Sequence, residues 1–149
     1  MWYEILPHTA DLKIRVRGES KKELFSNSLR AMFMAMRPKA ADCAWEAVGG
    51  ADTLKCAELG IVRQIKLKSV DEKALLVDFL SEALALSDAN NEAYLGAEIV
   101  NLSETEIEAR ILGLPVSSFE EEEIKAVTHH GIEIKKTKDG FETEIIFDV

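Results

Sequence analysis

Alternating apolar and polar residues mark two short strands at the amino end of the chain. Trp2–Leu6 is the first, and Leu12–Arg17 is the second, in which aliphatic side chains at even positions alternate with basic ones at odd positions. A period of two places successive side chains on opposite faces of a sheet. The pattern therefore predicts two strands, the second with one buried and one solvated face.

The first stretch with helical spacing covers residues 21–36. Its apolar side chains, including the sequence MFMAM, recur on one stripe. Ser20 and Glu23 have the spacing of a capping box, which satisfies backbone amides at a helix start, and Pro38 prevents the helix from continuing. The stripe predicts a helix that packs its methionine-rich face on the core, in preference to an adaptable binding groove.

A second helix is predicted over residues 71–88. Ser69 and Glu72 have the spacing of a second capping box. Leucine, alanine and phenylalanine side chains recur with helical period, and Asn90 and Asn91 supply a residue type that commonly ends helices. The segment predicts another helix with one face in the core.

The remaining regular segments predict strands. Residues 60–70 alternate, residues 93–102 and 105–116 predict a hairpin, and Asp139–Gly140 predicts a tight turn before the last strand. Two principal helices among seven or eight mainly antiparallel strands predict an α+β fold, arranged as a layered sandwich.

Chain length and charge limit the classes of function. A chain of 149 residues is long enough for a core of its own, so residues 1–149 are predicted to form a single domain. Its 27 acidic and 18 basic residues give a net charge of −9. Such a chain repels phosphate, which argues against direct binding of DNA or RNA and favours a basic protein partner or a divalent cation.

Composition also bears on location and on the cysteines. No apolar run approaches the roughly 20 residues of a membrane span, and the amino end lacks the pattern of a signal peptide, so a cytoplasmic protein is expected. Cys43 and Cys56 lie within residues 37–59, which show no sustained period and predict an irregular excursion. Two cysteines outside any CxxC or Cys/His cluster predict incidental free thiols.

Common catalytic signatures are absent from the sequence. It contains no GxSxG, GxGxxG, Walker or HExxH motif. His129 and His130 are adjacent, and adjacent residues of a strand point to opposite faces, so a metal site shared by the two is not predicted. The sequence therefore argues against an independent catalyst of the commoner kinds.

Two stretches at opposite ends of the chain carry the candidate chemistry. In residues 8–11, HTAD, the side chains of Thr9 and Asp11 could simply bond the backbone of a turn. Asp148 and the α-carboxylate of Val149 place two negative charges within one residue, which is costly without a compensating cation or donor. If the last strand lies beside the first two, Asp11 joins them, and such oxygen donors select Ca²⁺, Mg²⁺ or Mn²⁺ over zinc.

The order of several short pieces along the chain is more specific than any one piece. The pieces are His8–Asp11 with Gly18, Ala31–Phe33, Leu75–Leu80, Lys125–Thr128 with His130, and Phe147–Val149. In this set and order the chain resembles the archease family. Archeases are small proteins that activate the RtcB-type tRNA-splicing ligase, which seals RNA ends using GTP and metal.

The resemblance implies both a function and a site. It implies a protein cofactor, not an enzyme, which promotes guanylylation of the RNA ligase and sustains multiple turnover. It also implies a metal site at Asp11, Asp148 and Val149, with Ca²⁺ as the expected ion and Mg²⁺ or Mn²⁺ as alternatives. Two other functions stay open: a chaperone-like modulator of RNA-processing enzymes such as tRNA methyltransferases, and a metal-dependent hydrolase in which Asp11 and Asp148 activate water.

Overall fold

The computed structural model describes residues 2–48, 51–121 and 123–149 of the chain. This part contains two helices and twelve strands, three of which are only two residues long. In chain order the elements are β1 (Tyr3–Leu6), β2 (Leu12–Gly18), α1 (Lys21–Ala35), β3 (Pro38–Lys39), β4 (Cys43–Val48), β5 (Ala51–Cys56), β6 (Ile61–Lys68), α2 (Glu72–Asn90), β7 (Glu92–Leu102), β8 (Glu106–Pro115), β9 (Ser118–Phe119), β10 (Ala126–Val127), β11 (Ile134–Thr137) and β12 (Gly140–Asp148).

The strands form antiparallel sheets, of which two are large. The five-stranded sheet has the order β1-β2-β12-β10, with β11 also paired to β12, and the three-stranded sheet has the order β6-β8-β7. Two small two-stranded sheets pair β3 with β9 and β4 with β5. The predicted hairpins are confirmed for β7–β8 and for β11–β12, where Gly140 has a φ of 150°.

The two helices pack between and against the larger sheets. α1 contacts β2 and β12 on one side and β7 on the other, whereas α2 contacts all three strands of the three-stranded sheet. The ring centroids of Phe25 in α1 and Phe79 in α2 lie 6.0 Å apart, and the methionine-rich stripe of α1 is buried. The predicted α+β layered fold is therefore confirmed. No helix in the described part of the chain is long and apolar enough to cross a membrane.

The helix ends agree with the sequence at α1 and differ at the start of α2. Ser20 accepts a hydrogen bond from the backbone N–H of Glu23 at 3.1 Å, as predicted. The predicted capping box at Ser69 is wrong, because Asp71 accepts from the backbone N–H of Ala74 at 2.8 Å. An aspartate immediately before the first turn is an equally good cap and lies closer. The Ser69 hydroxyl instead donates to a carboxylate oxygen of Asp78 at 2.5 Å.

Residues 37–59 are not the irregular excursion that the sequence predicts. They contain β3 and the β4–β5 hairpin, in which Cys43 pairs directly with Cys56. The two cysteines form a disulfide, so the prediction of free thiols is also wrong. Hairpin register determines which residues face each other, and it depends on the turn and on the surface that the hairpin covers, so cysteine spacing alone did not reveal the pair.

An ion pair between the partly exposed Arg63 and the buried Glu92 joins the two edges of the three-stranded sheet. The Arg63 guanidinium donates to both carboxylate oxygens of Glu92, at 3.0 and 2.9 Å, and the Tyr94 hydroxyl donates to the same carboxylate at 2.7 Å. The Glu92 side chain is only 5% exposed. The hydrogen bonds from Arg63, followed by the one from Tyr94, hold the pKa of Glu92 below its ordinary value of 4.5 against the opposing effect of burial.

This ion pair predicts an acid-sensitive contribution to stability. A carboxyl group whose pKa is lower in the folded chain stabilises fully above its unfolded pKa and loses that effect as the pH falls towards its folded pKa. The difference in urea midpoint between wild type and Glu92→Gln should therefore be large at pH 7 and shrink below about pH 4.5. Glu98→Gln, at an exposed Arg110 pair in the same sheet, is the control and should change the midpoint little. A difference for Glu92→Gln that does not depend on pH would contradict the assignment.

Candidate functional site

The two ends of the chain meet at one corner of the five-stranded sheet. β12 pairs antiparallel with β2, and the last pair in the register is Phe147 with Leu12. Asp148, the last residue of β12, and Asp11, immediately before β2, each lie one position beyond this pair, so antiparallel pairing places them opposite each other. The expectation that the terminal strand lies beside the first hairpin is confirmed, because β2 is paired to β1 and to β12.

The penultimate residue is fixed by neighbouring backbone. Asp148 pairs with Ala126 of β10, and its carbonyl oxygen accepts a hydrogen bond from the backbone N–H of Lys125 at 2.7 Å. β12 therefore has a partner strand on each side close to its end. Backbone pairing on both sides restrains this part of β12 against fraying.

The negative charge of the Asp148 side chain is not compensated by any described residue. The residue is exposed, and its carboxylate has no hydrogen bond or ion pair to any described residue. On the opposite strand, a carboxylate oxygen of Asp11 lies 3.4 Å from His8 Nδ1, with both side chains about one-third exposed. His8 of the HTAD stretch is thus in contact with the Asp11 carboxylate. The Asp148 carboxylate remains available to a ligand.

A cleft of about 770 Å³ opens beside this corner. Asp11 and Val149 both line it, together with Glu4, Asp52 and Glu121, so its walls are strongly acidic. The described lining contains a single basic side chain, that of Arg37. Arg37 follows the end of α1, and Trp45 and Asp52 lie on the β4–β5 hairpin. None of the three is a predicted site residue. No local signal marks them, because only the packing of the hairpin brings them to the cleft.

The donors at the corner suit a hard divalent cation in chemistry and charge. Asp11, Asp148 and the α-carboxylate of Val149 offer oxygen only, which favours Ca²⁺, Mg²⁺ or Mn²⁺ over zinc. Within the described ranges, no three His, Cys, Asp or Glu side chains are grouped closely enough to hold a metal ion. The described side chains at this corner therefore do not by themselves form a group of three such ligands.

The adjacent histidines lie elsewhere and in a different setting from the predicted one. His129 and His130 are exposed and belong to the connection between β10 and β11, not to a strand. The prediction that His129 and His130 lie on a strand is therefore wrong, because regular pairing ends at Val127. Neither histidine takes part in a metal-binding group with other described residues.

The sequence matches one family model over nearly its whole length. Residues 3–149 match the model of the Archease protein family (MTH1598/TM1083). The protein archease of Methanosarcina barkeri is 36% identical over an alignment covering 99% of this chain and 95% of the relative. The protein archease of Pyrococcus abyssi is 28% identical, with 93% and 91% covered. Their name states no catalytic activity.

Solved structures share the fold at lower identity. The solution structure of protein 1598 of Methanobacterium thermoautotrophicum has a TM-score of 0.67 and 22% identity, covering 99% of both chains. The crystal structure of a Thermotoga maritima archease, described as a possible chaperone, has a TM-score of 0.61 and 17% identity, covering 97% of this chain and 94% of the other. At these identities the comparison supports a common fold.

Proposed function

This chain belongs to the archease family, and from that premise we propose that it is a metal-binding activator of an RtcB-type tRNA-splicing RNA ligase. In this role it promotes guanylylation of the ligase and sustains multiple turnover. One observation carries the proposal. Asp148 and Val149 lie at the end of β12, which pairs with β2 next to Asp11. The activity belongs to the ligase, and this chain acts on the ligase as its cofactor.

The residues of the corner have separable tasks in this proposal. Asp11, Asp148 and the α-carboxylate of Val149 would hold the ion, and their hard oxygens suit Ca²⁺, Mg²⁺ or Mn²⁺. Ca²⁺ is the ion that the archease resemblance implies. His8, 3.4 Å from the Asp11 carboxylate, orients that ligand. When bound, a divalent ion would add positive charge beside the acidic walls of the cleft. The pairing of β12 with β2 and β10 keeps the donors in position before any ion arrives.

The charge of the chain supports a protein partner over an RNA partner. With a net charge of −9 and acidic walls around the cleft, the surface near the corner repels phosphate and attracts basic protein surfaces. Activation of a ligase requires contact with the ligase alone, so no phosphate-binding face is needed. The proposed activator therefore docks on the ligase and leaves the RNA ends to it.

The proposal predicts a gain in guanylylation that depends on Asp148. With labelled GTP and limiting ligase from the same source, wild-type protein should accelerate ligase labelling and permit repeated rounds of ligation. Asp148→Asn should fail to do either, because it removes a ligand charge without changing side-chain size. Asp139→Asn is the matched control, since Asp139 is exposed at the opposite end of β12 and Asn-Gly forms the same type of turn. It should activate as wild type does.

Two other outcomes would replace the proposal. Hydrolysis of phosphoesters by this protein alone, with added Mn²⁺ or Mg²⁺ and lost in Asp11→Asn, would identify a metal-dependent hydrolase. No effect of the wild type on the ligase, together with a gain in activity or solubility of an RNA-processing enzyme such as a tRNA methyltransferase, would identify a chaperone-like modulator.

A further inference from the structure

The β4–β5 hairpin forms a two-stranded sheet of its own. Among the described residues it has no strand pairing with the larger sheets. Buried Leu54 anchors it in the core, and the Tyr3 hydroxyl donates to the carbonyl oxygen of Asp52 at 3.3 Å. An isolated two-stranded hairpin is marginally stable in water. The covalent or side-chain links between its two strands therefore determine how firmly this hairpin is docked.

Arg37 links this hairpin to the acidic cleft. Its guanidinium carbon lies 4.0 Å from the centroid of the Trp45 ring, and Nη1 lies 3.4 Å from a carboxylate oxygen of Asp52. A second carboxylate, that of Glu120, lies 3.7 Å from Nε. The backbone of Arg37 has a φ of 53°, an unfavourable region for a residue with a side chain, so surrounding contacts must hold it there.

The Arg37 guanidinium contacts Trp45 and Asp52 of the hairpin and Glu120 outside it, and the residue shares the cleft with Asp11 and Val149. If it left Trp45 and Asp52, it would keep Glu120 within reach and could also turn to the carboxylates of Asp11 and Val149. Paired with them, it would occupy the negative charge that a divalent cation needs. Whether the cleft is available to a cation thus depends on the hairpin keeping Arg37.

The Cys43–Cys56 disulfide closes the base of the same hairpin. Both cysteines are half-buried, so a reductant can approach the bond. The residues that hold Arg37 lie further along the two strands, because Trp45 pairs with Leu54 and Asp52 pairs with Ala47. A disulfide acts by removing conformations available to the open chain, and its loss enlarges the set of undocked hairpin conformations.

We propose that the Cys43–Cys56 disulfide is a redox switch that controls cation binding at the corner of Asp11, Asp148 and Val149 through Arg37. The inference rests on the proposed function and adds regulation to the same site. In the oxidised protein the docked hairpin keeps Arg37 against Trp45 and the cation has free access. In the reduced protein the hairpin loosens, and Arg37 competes with the cation.

The chemistry of the switch is thiol–disulfide exchange with a dithiol reductant. One thiolate of the reductant attacks a sulfur of the bond, a mixed disulfide forms, and the departing cysteine thiolate takes up a proton. The second thiolate of the reductant then displaces the other cysteine, which is also protonated. Two electrons pass to the protein, the reductant ends as a disulfide, and Cys43 and Cys56 end as thiols.

The test compares calcium binding by the oxidised and reduced wild-type protein. Calorimetry with Ca²⁺ alone follows anaerobic removal of the reductant, and thiol titration verifies zero and two free thiols in the two samples. If the hairpin is docked only about one-tenth of the time after reduction, the apparent affinity should fall about tenfold. Reoxidation should restore it, which separates switching from irreversible unfolding.

Arg37→Gln provides the variant that tests the route of the effect. It keeps a long polar side chain and removes the competing charge, so it should bind Ca²⁺ with the same affinity in both redox states. A Cys43→Ser/Cys56→Ser double variant should match the reduced wild type and should not respond to reductant. If that variant fails to fold, reduction and reoxidation of the wild-type protein still test the switch.

The outcomes separate the switch from the proposed function. No Ca²⁺ binding by the oxidised wild type would overturn the metal site and the switch together. Tight binding that is equal in both redox states would overturn the switch and leave the metal site standing. A tenfold redox effect that persists in Arg37→Gln would overturn the role of Arg37.

Discussion

Calcium affinity, measured by calorimetry, is expected to fall by about 100-fold in Asp148→Asn, because one of three ligand charges is removed from a divalent cation at close range. The Asp148 carboxylate has no partner among the described residues, so this substitution breaks no contact within the fold. The thermal midpoint without calcium should be unchanged or slightly higher, since a repulsion with the neighbouring α-carboxylate is relieved.

A tag fused after Val149 tests the same site by a different route. It converts the terminal carboxylate into a peptide group and moves the new carboxylate away from Asp11, so calcium affinity should fall to a similar extent. The same tag at the amino end, and Asp139→Asn, are the controls and should leave affinity unchanged. Wild-type affinity in both Asp148→Asn and the carboxyl-terminal fusion would remove Asp148 and Val149 from the site.

Gly113→Ala is expected to destabilise the protein by about 3 kcal/mol or more, the upper range for overpacking a core. A Cβ atom at Gly113 would collide with the carbonyl oxygen of Ala93 and would lie 2.7 Å from Cδ1 of Tyr94. Neither neighbour can move freely. Ala93 is part of the paired backbone of β7, and the Tyr94 ring is fully buried, packed edge-on to Phe33 with centroids 5.4 Å apart.

The effect of Gly113→Ala should also extend to the Arg63–Glu92 pair, because the Tyr94 hydroxyl donates to Glu92. Urea unfolding of the wild type and of Gly113→Ala at pH 7 measures the loss of stability. Gly96→Ala is the matched control in the neighbouring strand, since its Cβ would meet nothing closer than Leu59 Cδ1 at 3.9 Å. It should be neutral or slightly stabilising. Equal stability of Gly113→Ala and Gly96→Ala would contradict the prediction, because it would mean that the β7 backbone shifts at Ala93 to accommodate the added Cβ atom.

Most of the fold could be predicted from local patterns. Hydrophobic periods of 2 and 3.6 located the long strands and both helices, because a residue's position on a strand or helix decides whether its side chain is buried. Short elements escaped this reasoning. β3, β9 and β10 have two residues each, too few for any period to be visible, and they exist because neighbouring segments offer them partners.

The candidate site could be predicted in part. Asp11, Asp148 and Val149 are predicted from the adjacent negative charges at the chain end and from a family resemblance, and the pairing of β2 with β12 brings them to one corner. Arg37, Trp45 and Asp52 were missed. Their relation depends on a hairpin whose strands alternate weakly and which docks through buried Leu54 and contacts such as that of the Tyr3 hydroxyl with Asp52.

The amino-acid sequence by itself determined which segments become helices and strands, the acidic character of the surface and the presence of carboxylates at the chain end, because these depend on neighbouring residues and composition alone. Strand register, the joining of Cys43 to Cys56 and the placing of Arg37 beside the acidic corner required the assembled fold. Each of these is a contact between distant residues, and its free energy exists only once the intervening chain has been ordered.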